Sequence, residues 1–172
     1  IKTVCDEWAQ CSDENALVGL CYRRFNIASA APITPMLAGE YVECSSIDAV
    51  YRYGLRGDKA EIFRTVSLRE NHFPVFMHEK FVTEALVWNR VTKNRKIRYL
   101  NNVVYFCEYL PDGLSAKVRT LYKNNPRGMM QYYYEFLRYK FPVWDRMKGF
   151  IWLMYYCAVY VLSRIRYCFF CG

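Results

Sequence analysis

Hydrophobic and polar positions along this chain switch between a helical period and a strand period, and the switches mark out its elements. The opening stretch IKTVCDEWAQC places Ile1, Val4 and Trp8 on one face, as in a helix already under way, so the chain reads as the continuation of something longer. ALVGLCY is an apolar run of strand length, and NIASAAPITPM after it reads as a loop. SSIDAVYRYG has a serine cap, helical spacing and Gly54 as a left-handed stop. KAEIFRT predicts a short strand, VSLREN a helical turn, and NHFPVF an irregular connection held extended before Pro74.

From Glu84 to about Asn94 the side chains of Leu86, Val87, Trp88 and Val91 share a face, and the basic KNRK after them suits a helix C-terminus. This helix is expected to pack against a sheet. KIRYL and VVYFCEYL are β-rich runs separated by Asn101-Asn102, which predicts either a hairpin or two strands of a mixed sheet. PDGLS is turn chemistry, with Ser115 placed to cap the next helix. The remainder reads as helices: SAKVRTLYKN up to Asn125-Pro126, then RGMMQYYYEFLRYK, a break at Phe141-Pro142, and a last helix through FIWLMYYCAVYVL. The uncharged run from Gly149 to Ser163 is about 15 residues, short of the roughly 20 that cross a bilayer. Lys148 bounds it on one side and Arg164 and Arg166 on the other. An in-plane amphipathic anchor is expected, with a buried core helix as the alternative. The fold class is therefore α/β, a mixed sheet with flanking helices followed by an amphipathic helical tail.

Composition allows one domain with a real core, since 53% of the 172 residues are hydrophobic and 23% charged. The aromatic share of 18% suits either a tyrosine-rich core or a surface that meets sugars, headgroups or a partner. The placement of the +8 net charge matters more than its size. Residues 1–112 carry 14 Lys/Arg against 14 Asp/Glu; of the 24 and 16 in the whole chain, the other 10 and 2 fall in residues 113–172. A neutral body with a basic, aromatic tail points to an anionic partner, and an anionic membrane surface is expected. No nucleic-acid recognition motif accompanies the charge, and no nucleic acid is expected as partner. The eight cysteines are scattered apart from Cys168 and Cys171 at the end, and neither His72 nor His78 completes a zinc pattern; they read as reduced, mostly core thiols of a cytosolic protein. The histidines read as incidental, and no signal-peptide pattern is present.

Three segments in order, YGLRGDKAEIFRT, FPVFMHEKFVTEALVWNR and RYLNNVVYFCEYLPDGLS, resemble the C-terminal part of bacterial family-2 glycosyltransferases. The resemblance is to members with G-D-K-x-E-[IV]-[FY], then G-E-K-F-V-x-E leading to L-[VI]-W, then E-Y-x-x-D-G-L-S, and it covers about residues 15–130. It implies a partial GT-A-like domain over residues 1–115 and a basic aromatic helical tail over 116–172. It also implies that the nucleotide-binding half, with its aspartate cluster for Mn²⁺ or Mg²⁺, is not in this chain, and no metal ligand is assigned here. Asp6-Glu7 and Asp13-Glu14 lack the D-x-D spacing and read as a solvated face. The implied partners are a nucleotide-sugar donor and a glycan or lipid-linked acceptor, at the cytoplasmic face of the cell membrane.

Within that resemblance Glu84 matches the acidic position expected to supply the catalytic base. A carboxylate in the first turn of a helix is rigidly held and favoured in its ionised form. Relatives often have Glu-Asp where this chain has Glu84-Ala85, so Glu84 is either the base or a carboxylate of the cap region behind Thr83. Arg56, Asp58 and Lys59 would line the acceptor or diphosphate side, or else form an ordinary Gly-Asp turn. Glu79 and Lys80 would order the loop ahead of the base by pairing locally. Trp88 would stack on a sugar ring or sit in the core. Asp112, Gly113 and Ser115 would close over the donor diphosphate, with backbone N–H groups near Gly113 on phosphate, or form a capping turn. The competing expectation is a non-catalytic membrane-surface or protein-interaction module. In both cases Phe150, Trp152, Tyr155 and Tyr156 would settle in the membrane interface, beneath Lys117, Arg119, Lys123, Arg127, Arg138, Lys140, Arg146 and Lys148.

Overall fold

The computed structural model describes residues 2–11 and 16–170, with side chains as far as residue 165; Asp13-Glu14, the Arg166 side chain and the Cys168 and Cys171 thiols lie outside what is described. The elements run α1 (Lys2–Ala9), β1 (Leu17–Asn26), β2 (Ala31–Pro32), β3 (Tyr41–Cys44), α2 (Ser46–Tyr51), β4 (Lys59–Phe63), α3 (Thr65–Glu70), α4 (Glu84–Val91), β5 (Lys96–Cys107), α5 (Val118–Asn124), α6 (Pro126–Phe136) and α7 (Val143–Phe170). The fold is mixed α/β. Packing divides it into two compact units, Ile1–His72 with Val87–Pro111, and Phe73–Leu86 with Asp112–Gly172.

The first unit is built on a five-stranded mixed sheet. β1 lies at its centre, parallel to β5 and antiparallel to β2 and β4, and β3 closes the far edge antiparallel to β5. Being covered on both faces, β1 reads as a continuous apolar run, and its first six residues are buried. On one face Val18, Cys21, Ile97 and Tyr99 pack with Ala49 of α2 and with Val87 and Val91 of α4. On the other, Leu17, Leu20, Tyr22 and Leu100 receive Val4 and Trp8 of α1. Gly19 permits the β4 pairing, because a Cβ there would lie 2.6 Å from the Ile62 carbonyl oxygen.

Several local expectations change here. KIRYL and VVYFCEYL form one strand, β5, rather than a hairpin or two strands. Register shifts in the β1–β5 ladder absorb the Asn101-Asn102 interruption. The Asn101 side chain is held by the loop ahead of β3, accepting from Leu37 N–H at 2.7 Å and donating to the Leu37 and Gly39 carbonyls. β3 carried no clear signal, being four residues long and partly exposed. Its Glu43 lies opposite Arg98 of β5 and bonds it at 2.7 and 2.9 Å, while Glu7 of α1 takes Arg98 Nη1 at 3.0 Å. Glu7 is thus a structural partner of a buried arginine, not part of a solvated face; Asp6 is exposed. The six described cysteines are free, but only Cys21 and Cys44 belong to the core. α2 forms as read, with Ser45 Oγ accepting from Asp48 N–H and Gly54 at φ +67°.

The second unit is helical. α5 starts at Val118 with no side-chain cap, so Ser115 does not cap it; the turn before it closes instead through Gly113 and Leu114 carbonyls on Ala116 and Lys117 N–H. Pro126 opens α6 at a position where a missing N–H costs nothing. α7 packs on α6 through Gly149, where an added Cβ would lie 2.8 Å from the Phe136 ring. Tyr156 does not face a membrane interface: it is buried, its ring stacked 5.9 Å from Tyr133. Among the described residues no helix is long and apolar enough to cross a membrane.

Candidate functional site

In the first unit the segment RGDKAE is a tight turn leading into β4. Gly54 and Gly57 both have positive φ, and the Lys59 ammonium folds back on its own turn, donating to the Gly57 carbonyl at 2.9 Å and the Leu55 carbonyl at 3.3 Å. Buried Thr34 donates to the Asp58 carbonyl at 2.9 Å. The Asp58 carboxylate accepts from the Tyr109 hydroxyl, which burial and this bond push up to about 12. Two segments whose bonded residues lie 51 positions apart therefore meet through one hydrogen bond. Arg56 is exposed. Trp88 is half-buried, packed against the first core cluster with its ring 4.5 Å from that of Phe63.

In the second unit Glu79 does not pair locally. Its two carboxylate oxygens accept from the N–H groups of Arg127 (2.7 Å) and Gly128 (2.9 Å), the first turn of α6. The interaction satisfies donors that a helix start leaves open and places an anion at the positive end of the dipole. Asn125 completes the latch: its Oδ1 accepts from Lys80 N–H at 2.7 Å and Phe81 N–H at 3.1 Å, and its Nδ2 donates to the Leu121 carbonyl. Gly128 is required where the two segments touch, since a Cβ would lie 2.9 Å from the Phe81 carbonyl oxygen. Lys80 is engaged through its backbone, and its side chain is exposed.

The turn before the latch closes with Glu79 N–H on the Phe76 carbonyl, and His78 at its third position has φ +69°. That conformation suits glycine and is uncommon for a residue with a Cβ. In the motif this segment resembles, the same position is glycine. The backbone of His78 thus sets the turn, and its side chain is exposed.

Glu84 opens α4 with its side chain exposed, and no hydrogen bond or ion pair engages its carboxylate among the described residues. Thr83 just before it is buried, and its carbonyl accepts from Leu86 N–H. Asp112 and Ser115 are exposed and Gly113 is half-buried, in a turn that runs on to Lys117, with α5 opening only at Val118. The N–H groups near Gly113 are thus not those of a helix start.

Each unit has a cavity among its described residues. In the first unit a crevice of about 10 Å³, bordered by Tyr22, Thr34, Lys59 and Tyr99, has room for about one water. In the second unit a groove of about 400 Å³ lies between Leu137 and the first turns of α7. Glu84 lines neither. Among the described residues no three His, Cys, Asp or Glu side chains gather as a metal site. Sequence reading missed Asn125, Gly128, Tyr109 and the Arg98 cluster, whose partners are all distant along the chain. Comparison with protein-family models, with curated proteins and with solved structures finds no match to this chain.

Proposed function

We propose that this chain supplies the acceptor side of an inverting glycosyltransferase of the GT-A type, moving a sugar from a nucleotide sugar to a glycan or lipid-linked acceptor at the cytoplasmic face of a membrane. In that reaction the acceptor hydroxyl oxygen forms a bond to the anomeric carbon, the bond from that carbon to the nucleoside diphosphate breaks, and the hydroxyl proton goes to a carboxylate. Glu84 is the candidate for that carboxylate. It sits in the first turn of α4, exposed and with its carboxylate unengaged among the described residues, where the helix favours the anion. Glu79 and Asn125 position the segment leading to it, as their latch on α6 fixes the backbone of Lys80 and Phe81. The single observation carrying the reading is His78, whose left-handed backbone occurs where the resembled motif has glycine.

The test is sugar transfer, with Mn²⁺ or Mg²⁺ present, by a polypeptide joining this chain to a nucleotide-binding half. Glu84→Gln is expected to lower kcat by about a hundredfold or more with the fold intact, and full turnover in that variant would refute the assignment. The 172-residue chain alone is expected to give no transfer. Turnover by it would place the donor site within these residues.

A non-catalytic membrane-surface module is the second reading. It is favoured by the exposed apolar residues of α7, and unchanged activity in Glu84→Gln would select it.

A further inference from the structure

The α7 helix is apolar on more than the side that meets α6. Gly149 and Tyr156 turn toward α6, yet Met147, Ile151, Met154, Val161 and Ile165 remain exposed. With Ala158, also exposed, their spacings alternate between four and three, one continuous stripe along the helix. A second helix of the same kind would fit such a stripe if its flanks were charged, as in a two-stranded coiled coil. Here the flanks are Phe150, Tyr155 and Leu162, all exposed, which makes the apolar face too broad for a two-helix seam. Charge sits only at the ends: Arg146 and Lys148 before the stripe's uncharged stretch and Arg164 after it, all exposed. Width, length and terminal cations fit a helix lying in the plane of a bilayer.

The groove in this unit adds a specific contact. Its lining is Leu137, Val143, Met147, Phe150 and Ile151 with a single charged residue, Arg146, and its volume of about 400 Å³ falls within the range of small-molecule pockets, about 300–1,000 Å³. Asp145 is taken by Lys148 at 3.7 Å, and Arg146 has no ion-pair partner among the described residues. An apolar trough with one guanidinium suits an amphiphile whose hydrocarbon lies along the walls and whose phosphodiester meets the arginine.

We propose that the exposed face of α7 docks in the plane of an anionic phospholipid bilayer, and that the groove beside Leu137 takes an acyl chain of a lipid whose phosphate binds Arg146. This stands whether or not the chain belongs to a transferase, because no step of it involves Glu84.

The experiment is co-sedimentation of the full 172-residue chain with phosphatidylcholine vesicles, with and without phosphatidylglycerol. Binding is expected to be stronger on the anionic vesicles. Ile151→Glu should weaken it about tenfold or more with an unchanged far-ultraviolet circular dichroism spectrum; if that variant loses helix, Phe150→Ser replaces it, with the same expectation. Arg146→Gln should cost about fivefold on anionic vesicles and little on neutral ones. Acyl chains brominated at mid-length should quench tryptophan emission in the wild type and not in Ile151→Glu. Equal binding by wild type and the folded stripe variant would overturn the docking face. So would a dimer in light scattering that Ile151→Glu dissolves while vesicles go unbound. Displacement by inorganic phosphate at matched ionic strength, or no effect of Arg146→Gln, would overturn the lipid-phosphate contact.

Discussion

At the scale of single residues, backbone and ionisation states lead to measurable outcomes. The left-handed conformation costs an L-residue about 1–2 kcal/mol, part of which glycine returns as unfolded-state entropy. His78→Gly is therefore expected to stabilise the chain by about 1 kcal/mol in urea unfolding, and destabilisation would mean that the imidazole makes a compensating contact. Burial raises the Cys44 thiol to about 12 and the Cys21 thiol well above its ordinary value, with nearby acidic groups adding to it. Ionisation of these acids is disfavoured in the fold, so the unfolded chain loses their protons first as pH rises. Their contribution to stability is whole below about pH 9 and declines as pH climbs from there toward 12. The urea midpoint should fall across that window. Thiol alkylation followed by peptide mass spectrometry should label exposed Cys5 rapidly and Cys21 and Cys44 only on unfolding.

At the scale of elements, two contacts tie together segments that the sequence keeps far apart. Arg98 is buried among Glu43, Glu7 and the Tyr41 ring, which couples α1, β3 and β5. Glu43→Ala leaves this cation short of a partner and should cost about 3 kcal/mol. Replacing the pair together, Glu43→Val with Arg98→Met, should recover much of the loss, and a double-mutant cycle measures the coupling. The α6 latch is as local in space and as remote in sequence. Gly128→Ala pushes a methyl group against the Phe81 carbonyl, so it should cost about 2 kcal/mol although alanine is the better helix former. A neutral result would show that the segment before Glu84 gives way easily.

For the molecule as a whole, charge is partitioned along the chain rather than spread over it. The first 112 residues are balanced and the rest carry ten basic against two acidic residues. Binding to anionic vesicles should therefore fall steeply as salt is raised from about 0.05 to 0.5 M, whereas the urea midpoint of the sheet unit should change little. A parallel fall in both would mean that the surface charges also hold the fold.

The elements with a strong local period were legible in advance: α1, β1, α2, β4, α4, α6 and α7 all form close to where their patterns place them. Caps, glycines and prolines act through neighbours a few residues away, so their effects are written locally, as at Ser45, Gly54 and Pro126. What the residues close to one another in the chain could not decide was partnership. Nothing near Glu79 announces Arg127 and Gly128, nothing near Asp58 announces Tyr109, and the Asn101-Asn102 break in β5 becomes continuous only because a bulged parallel ladder accommodates it. By itself the sequence determined the α/β class and the helical basic tail, because these depend on periodicity and composition, while Glu84 became a candidate only through the motif that its segment resembles. Tertiary structure alone decided which polar groups are consumed in holding the chain together and which, like Glu84 and Arg146, are left exposed, because hydrogen-bond satisfaction and burial depend on neighbours that folding brings together.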